Sequence, residues 1–288
     1  MERVCFSFYI FTQMISVNNK IELLPYQREK IEIIKNHIKR RKNLHIYGHE
    51  GSGKSVLLDW IYDNWDDAGG TFIPIYCRSS RTLREILLRI TGFLLNHFKN
   101  LKSIDKFKDV KEIRYPSDLK KFNIRALKNI IFACIQKDRF CIILDHLEYI
   151  TPKINSFLTA LYGKTAVVSS SRESWELTDY NFGGKLNYCL YLIPKLSIEN
   201  LKRNDAFSLM ERLYGDMNMD SSMKQQIFKD VFCITKGNPK MIKEILEKAK
   251  NPDYFKDDKL NLKLIMIDCR INNIRFPASK ISSIPNSR

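Results

Sequence analysis

Short apolar runs alternate with amphipathic segments through the first two thirds of the chain. Continuous apolar runs predict five strands, at residues 44–47, 71–77, 140–145, 165–168 and 188–193. Strands that are buried on both faces read in this way, and helical segments separate them, so the pattern predicts a parallel sheet between two layers of helices. Pro74 lies within the second run, which places that strand near an edge of the sheet.

Helical periodicity dominates the remainder of the chain. Residues 82–98 carry apolar side chains at helical spacing, and beyond Pro194 the helical segments 205–214, 222–234 and 239–249 follow one another. Gly237-Asn238-Pro239 lies between the last two of these helices. Gly237 suits the C′ position that ends the first, Asn238 can cap the second, and Pro239 is tolerated in its first turn. We therefore divide the chain into an N-terminal extension (1–19), an α/β core (20–195), a helical lid (196–250) and a C-terminal tail (251–288).

The first predicted strand opens into a loop with the pattern G-x-x-x-x-G-K-[ST], and a helix-compatible segment follows at once. Glycines let successive N–H groups turn inward around a polyphosphate at a helix N-terminus. Lys54 would reach the β- and γ-phosphates of ATP, and the Ser55 hydroxyl would be a ligand of the bridging Mg²⁺. The candidate nucleotide contacts of this loop are Gly48, His49, Glu50, Gly51, Ser52, Gly53, Lys54, Ser55 and Val56.

The run Phe140–Asp145 ends in a carboxylate. A central parallel strand would deliver Asp145 to the sheet edge where the loop lies, where it would hold Mg²⁺ through the water shell of the ion. Ser55 and Asp145 are therefore the candidate residues of the metal site. Hydrolysis also needs a base that orients water, and His146 supplies no carboxylate. Glu148 is the nearest candidate; alternatively, it is an acid that a helix dipole stabilises.

Five further residues are candidate nucleotide contacts outside the loop. Ser170 and Arg172 follow the strand 165–168 and, with Glu148, form the candidate catalytic set, because polar groups there can sense and stabilise the γ-phosphate. Tyr26 and Gln27 lie in the turn before the loop and are candidates for the base, although a simple packing helix is the alternative. Pro239 is the candidate contact from the lid.

Composition adds a charge argument. The 288-residue chain has 48 Lys and Arg against 32 Asp and Glu, a net charge of +16, which suits an anionic partner such as DNA or a generally solvated lysine-rich surface. Seven scattered cysteines without a C-x-x-C pair predict reduced thiols in a cytoplasmic protein. The apolar run Val4–Val17 is too short for a membrane span, so no membrane partner is expected. This run is either an additional strand or helix packed on the core, or a segment upstream of the true start codon, which would then be Met14 and not Met1.

Several motifs resemble those of the AAA+ and STAND ATPases, including NB-ARC proteins, over residues 22 to 250. Gln27-Arg28-Glu29 resembles their "GRExEL" turn, 144–149 resembles their Walker B segment, and 168–172 resembles their sensor strand. Residues 192–197 followed by Gly237-Asn238-Pro239 are similar to their "L-x-P-L-S" and G-x-P motifs. The resemblance implies a P-loop NTPase with a three-layer αβα sandwich, a five-stranded parallel sheet, and a lid whose proline sits against the nucleotide.

Two departures from this pattern shape the expected function. No acid follows Asp145 directly, and no segment after the lid is long enough for a winged helix with a repeat array. We expect an ATP-binding and ATP-hydrolysing switch that acts on a protein partner or through self-association. One alternative is a DNA-associated AAA+ ATPase, similar to origin-recognition and transposition ATPases. Another is a structural subunit that binds nucleotide without turnover.

Overall fold

The computed structural model describes residues 25–68, 71–98, 116–136, 139–176, 188–214, 221–256 and 259–274. The predicted extension 1–19, and with it the choice between Met1 and Met14, lies outside the described residues. The strands are β1 Leu44–Tyr47, β2 Ile73–Cys77, β3 Phe140–Leu144, β4 Ala166–Ser171, β5 Lys195–Ser197, β6 Phe255–Lys256 and β7 Lys259–Leu260. The α-helices are α1 Pro25–Lys39, α2 Lys54–Asp63, α3 Trp65–Ala68, α4 Leu83–His97, α5 Ile124–Ile135, α6 Pro152–Tyr162, α7 Arg203–Tyr214, α8 Ser221–Thr235, α9 Pro239–Lys248 and α10 Leu262–Ile274.

The main sheet has five parallel strands in the order β2-β3-β4-β1-β5. Among the strands in the described ranges, the one that carries Pro74 pairs only with β3, so its predicted edge position is confirmed. The serine-rich strand β4 pairs directly with the loop strand β1, with Ile46 opposite Ser170. The carboxyl ends of β1, β3 and β4 therefore meet at one edge of the sheet.

Helices cover both faces of this sheet, and the side chains of each strand alternate between them. On one face α1 and α2 pack on side chains such as Ile46 and Ile143. On the opposite face α4, α5 and α6 pack on side chains such as Ile142 and Val167. The fold is thus the predicted three-layer αβα sandwich, in which the phosphate-loop helix is fixed against the sheet by its buried Leu57, Leu58 and Ile61.

The predicted fifth strand at 188–193 is wrong. Residues Cys189–Leu192 form a 3₁₀ turn that buries Leu190, and β5 begins only after Pro194. Pro194 has no N–H, but its carbonyl accepts a hydrogen bond from the His45 N–H at 2.9 Å and thereby starts the pairing with β1. The apolar run 188–193 therefore forms a packed turn and not a strand. The edge strand β5 that follows has only three residues, too few to show a periodic pattern.

The lid helices share a separate apolar core. Residues of α7, α8 and α9, among them Met210, Val231 and Ile245, form this cluster. Ile265 of α10 is fully buried in the same cluster, so residues that the sequence analysis grouped with the tail pack on the lid. None of the helices in the described ranges combines the length and apolar character needed to cross a membrane.

Candidate functional site

The loop between β1 and α2 has a backbone that only glycine allows at its key positions. Gly51 has φ +78°, and a Cβ there would lie 2.6 Å from Asn238 Oδ1 and 2.7 Å from Lys240 Cβ. A Cβ on Gly48 would lie 2.1 Å from the carbonyl oxygen of Ile198, so this glycine permits a close approach of two backbones. The loop is therefore shaped both by its own turn and by the segments that press on it.

Lys54 lies across this loop. Its side chain is buried, and the ammonium group donates to the carbonyl oxygens of Gly48 at 2.7 Å and His49 at 3.0 Å. Burial lowers the pKa of Lys54, although the carboxylates of Glu148 and Asp145 act in the opposite direction. A buried ammonium favours a strong anionic acceptor, which is the chemistry of a phosphate group.

Asp145 directly follows β3 and is almost fully buried, with 2% of its surface exposed. Its Oδ1 accepts hydrogen bonds from the Ser170 hydroxyl and, at 2.9 Å, from the His146 N–H. The His146 ring lies between the two predicted Mg²⁺ ligands, with Nε2 3.4 Å from Ser55 Oγ and 3.6 Å from Asp145 Oδ2. The structure thus gathers Ser55, Asp145 and Ser170 at one edge of the sheet and adds an imidazole.

Arg172 connects the carboxylates of Glu148 and Glu50. Its backbone N–H donates to Glu148 Oε2 at 3.0 Å, and its guanidinium Nε lies 3.9 Å from Glu148 Oε1. Another guanidinium nitrogen lies 3.1 Å from Glu50 Oε2. The Lys240 ammonium lies 3.3 Å from the other oxygen of Glu50, and these two cations hold the pKa of Glu50 below its usual value, Lys240 having the larger effect.

The start of α9 touches the loop directly. Asn238 caps this helix, accepting from the Met241 N–H at 3.1 Å, and its amide donates to the Glu50 carbonyl at 2.8 Å. The Lys240 N–H donates to the Gly51 carbonyl at 3.3 Å. Pro239 is the first residue of the same helix. The lid is therefore attached to the loop through a side-chain hydrogen bond of Asn238, a main-chain hydrogen bond of Lys240 and the Lys240–Glu50 salt bridge.

The remaining predicted contacts lie around this centre. The Tyr26 hydroxyl accepts a hydrogen bond from the Glu199 N–H at 3.0 Å, and its ring packs against the lid core. Gln27 is in the same first turn of α1, and Val56 is a partly exposed residue in the first turn of α2. Contact of Tyr26 and Gln27 with the base, and of Val56 with the nucleotide, remains a prediction.

Sequence reasoning missed Lys240 and the central place of His146. No pattern distinguishes Lys240 from the other lysines of the lid, and its contact with Glu50 spans a gap of 190 residues. Asn238 was identified as a helix cap, but its bond to the loop could not be read from local spacing. His146 was noted only for the carboxylate that it lacks.

Comparisons with solved structures agree with this geometry. The chain is similar to a Walker-type ATPase of Pyrococcus abyssi, at 16% identity over 87% of this chain and 76% of that chain, with a TM-score of 0.52. It is also similar to the Aeropyrum pernix ORC2 protein in ADPNP-ADP complexes, at 14% identity over 93% and 72% of the two chains, with a TM-score of 0.51. The chain has the fold of AAA+ P-loop ATPases.

The chain is similar as well to the Aeropyrum pernix ORC1 protein in complex with DNA, at 12% identity over 88% of this chain and 66% of that chain, with a TM-score of 0.58. At these identities the likeness establishes the AAA+ fold and nothing finer. No protein-family model matches the sequence, and neither does any curated protein.

Proposed function

We propose that the protein binds ATP with Mg²⁺ between the phosphate loop and the lid, hydrolyses it, and acts as a switch on a partner protein. The observation that carries this proposal is the attachment of the lid to the loop, where Asn238 donates to the Glu50 carbonyl and Lys240 pairs with the Glu50 carboxylate. These lid contacts are made to the same loop that would hold the ligand. Its binding would therefore change how the lid is held.

The residues of the site fit a metal-bound triphosphate. Lys54 offers a buried ammonium group, Ser55 a hydroxyl, and Asp145 a buried carboxylate, which are the donor types for phosphate oxygens and Mg²⁺. When bound, Mg²⁺ would neutralise charge on the phosphates and orient them. Lys54 currently donates to two loop carbonyls, and these bonds would be exchanged for stronger ones to phosphate oxygens.

For hydrolysis, Glu148 is the proposed base. The Arg172 N–H donates to its Oε2 and fixes the carboxylate at the tip of β4, while the pairing of β4 with β1 sets that tip beside the loop. A fixed carboxylate that accepts a proton from water contributes on the order of 10²–10⁴-fold in rate. The Arg172 guanidinium would stabilise the charge that develops on the γ-phosphate.

The switch would operate through Glu50. In this structure its carboxylate engages Arg172 from the core and Lys240 from the lid. A γ-phosphate carries more negative charge than a carboxylate and would compete for both cations. ATP and ADP would then differ in how firmly they hold the lid, and a protein partner or a second copy would recognise the lid position.

A pull-down with and without a non-hydrolysable ATP analogue tests this proposal. We expect partner capture by the wild type to depend on the analogue. The Lys54→Ala variant should capture the same amount of partner under both conditions. If the wild type captured the same amount of partner with and without the analogue, the proposed switch would be contradicted.

A second candidate function is a DNA-associated ATPase. The net charge of +16 favours it, and one structural neighbour is an ORC1 protein in complex with DNA. Contacts between lysines and phosphates release counterions, so affinity should fall steeply between about 50 and 200 mM salt. Absence of DNA binding at low salt would remove this candidate.

A third candidate is a structural subunit that holds nucleotide without turnover. It is favoured by His146, which supplies no carboxylate next to Asp145. Tight ATP binding without phosphate release, measured alone and with DNA, would identify it. Steady phosphate release would exclude it.

A further inference from the structure

Three donor atoms of different chemistry converge at the metal end of the site. Nε2 of His146 lies 3.4 Å from Ser55 Oγ and 3.6 Å from Asp145 Oδ2. Ser55 and Asp145 are the two residues that the proposed function assigns to the metal. The imidazole nitrogen therefore lies close to both of them. It adds a nitrogen donor to a site whose other two donors are oxygen atoms.

These separations are close to those between ligands of one ion. Protein nitrogen and oxygen donors lie about 2.0–2.1 Å from a small divalent cation, so two neighbouring donors are about 2.8–3.0 Å apart in octahedral and about 3.3–3.4 Å apart in tetrahedral geometry. The observed distances of 3.4 and 3.6 Å are longer than the octahedral spacing. A shift of roughly half an ångström in the His146 side chain would bring its nitrogen to the spacing expected for a ligand of an ion held at Ser55 and Asp145.

The backbone also presents His146 to this position. His146 has φ +57°, in the left-handed region that residues other than glycine seldom adopt. Its N–H donates to Asp145 Oδ1 at 2.9 Å, which ties the residue to the carboxylate, while about half of the side chain stays exposed. A strained conformation of this kind persists only when its surroundings hold it, and here it turns the ring toward Ser55 and Asp145.

We propose that His146 Nε2 is a direct ligand of the nucleotide-associated metal and makes this site prefer Mn²⁺ or Co²⁺ to Mg²⁺. The inference rests on the proposed nucleotide site. Mg²⁺ prefers oxygen donors in strict octahedral geometry, whereas imidazole suits later divalent metals, whose affinities rise from Mn²⁺ to Co²⁺. The neutral ring would bind through Nε2 with its proton on Nδ1.

Pulsed electron paramagnetic resonance of the Mn²⁺·ADP complex of the full chain tests the ligand directly. We expect echo modulation from a directly bound imidazole ¹⁴N, and its replacement by the ¹⁵N pattern when only the histidines carry ¹⁵N. That isotope exchange separates imidazole from the adenine ring. The His146→Gln variant should lose the signal, and His37→Gln, which removes an imidazole on α1, should retain it.

Metal competition gives a second measure that does not depend on turnover. Removing a ligand should weaken Co²⁺ and Mn²⁺ binding to the nucleotide complex of His146→Gln about 10- to 100-fold and change Mg²⁺ binding much less. A wild-type Mn²⁺·ADP complex without histidine nitrogen coupling would overturn this inference and leave the nucleotide site intact. Failure of any metal–nucleotide complex to form would overturn both this inference and the proposed nucleotide site. Measurements on the wild type alone distinguish the two outcomes.

Discussion

The Asn238 side chain of the lid donates a hydrogen bond to the Glu50 carbonyl of the phosphate loop, at 2.8 Å across a separation of 188 residues. The same side chain accepts from the Met241 N–H and so caps α9. One residue therefore fixes both the start of a lid helix and the position of the loop. Local helix chemistry and lid attachment can be separated by substitution at this position.

Asn238→Ser should retain the cap but lose the bond to Glu50, because serine is a good N-cap with a shorter side chain. We expect a loss of about 1 kcal/mol in the free energy of unfolding and a weaker nucleotide affinity. Asn238→Ala removes the cap as well and should cost about 1 kcal/mol more. Chemical denaturation and nucleotide titration measure the two effects. Equal stability of the two variants would show that the cap contributes nothing.

Asp145 and Glu148 should respond differently to isosteric substitution. Glu148→Gln removes a base that acts in the transition state, so phosphate release should stop while ATP affinity stays nearly unchanged. Asp145→Asn removes charge beside the metal and should weaken Mg²⁺-dependent binding itself. If Glu148→Gln hydrolyses ATP as fast as the wild type, another group orients the water.

The core of the site was predictable because its determinants are local. The loop spacing, the carboxylate at the end of a fully apolar strand and Pro74 at an edge each have a physical meaning within a few residues. β5 was misplaced because it has three residues, which give no periodicity, and it follows a more apolar segment that forms a 3₁₀ turn. Short strands depend on their partners for their structure.

Contacts that join distant segments were not predictable in the same way. Glu50 was predicted only as a loop residue, and its pairing with Arg172 and Lys240 depends on how the lid packs on the core. The position of His146 near Ser55 and Asp145 likewise depends on a left-handed backbone conformation that no local sequence pattern predicts. Such features are properties of the tertiary structure.

A buried histidine lies behind the loop on β1. The His45 ring nitrogens lie 2.8 Å from Ser169 Oγ, and 3.1 Å from both Ser171 Oγ and the Glu173 carbonyl. Burial lowers the pKa of His45 from 6.5 to about 4, and the charges of Lys195 and Lys54 act in the same direction, whereas the Glu173 carbonyl opposes them. The ring is neutral in the folded protein near neutral pH.

This histidine should make stability depend on pH. Above pH 6.5 the ring is neutral in both the folded and the unfolded protein, so the free energy of unfolding does not change with its titration. Below pH 6.5 the unfolded chain binds a proton that the folded protein binds only near pH 4, so the free energy of unfolding falls. We expect the wild type to lose about 2 kcal/mol relative to His45→Gln between about pH 7 and pH 5. Denaturant titrations of both proteins at each pH measure this difference, and parallel curves would contradict the low pKa.

The central claim is that Lys54 and its loop bind Mg²⁺-ATP, and thermal melting of the wild type with and without this ligand tests it most directly. At about 100 times the dissociation constant, a ligand of the folded state adds ~2.7 kcal/mol, which corresponds to about 5–10 °C for a chain of this size. We expect this shift in the wild type and in Lys250→Ala, whose lysine is exposed on the lid, but not in Lys54→Ala. An unmoved wild-type melting curve at saturating Mg²⁺-ATP would contradict the claim.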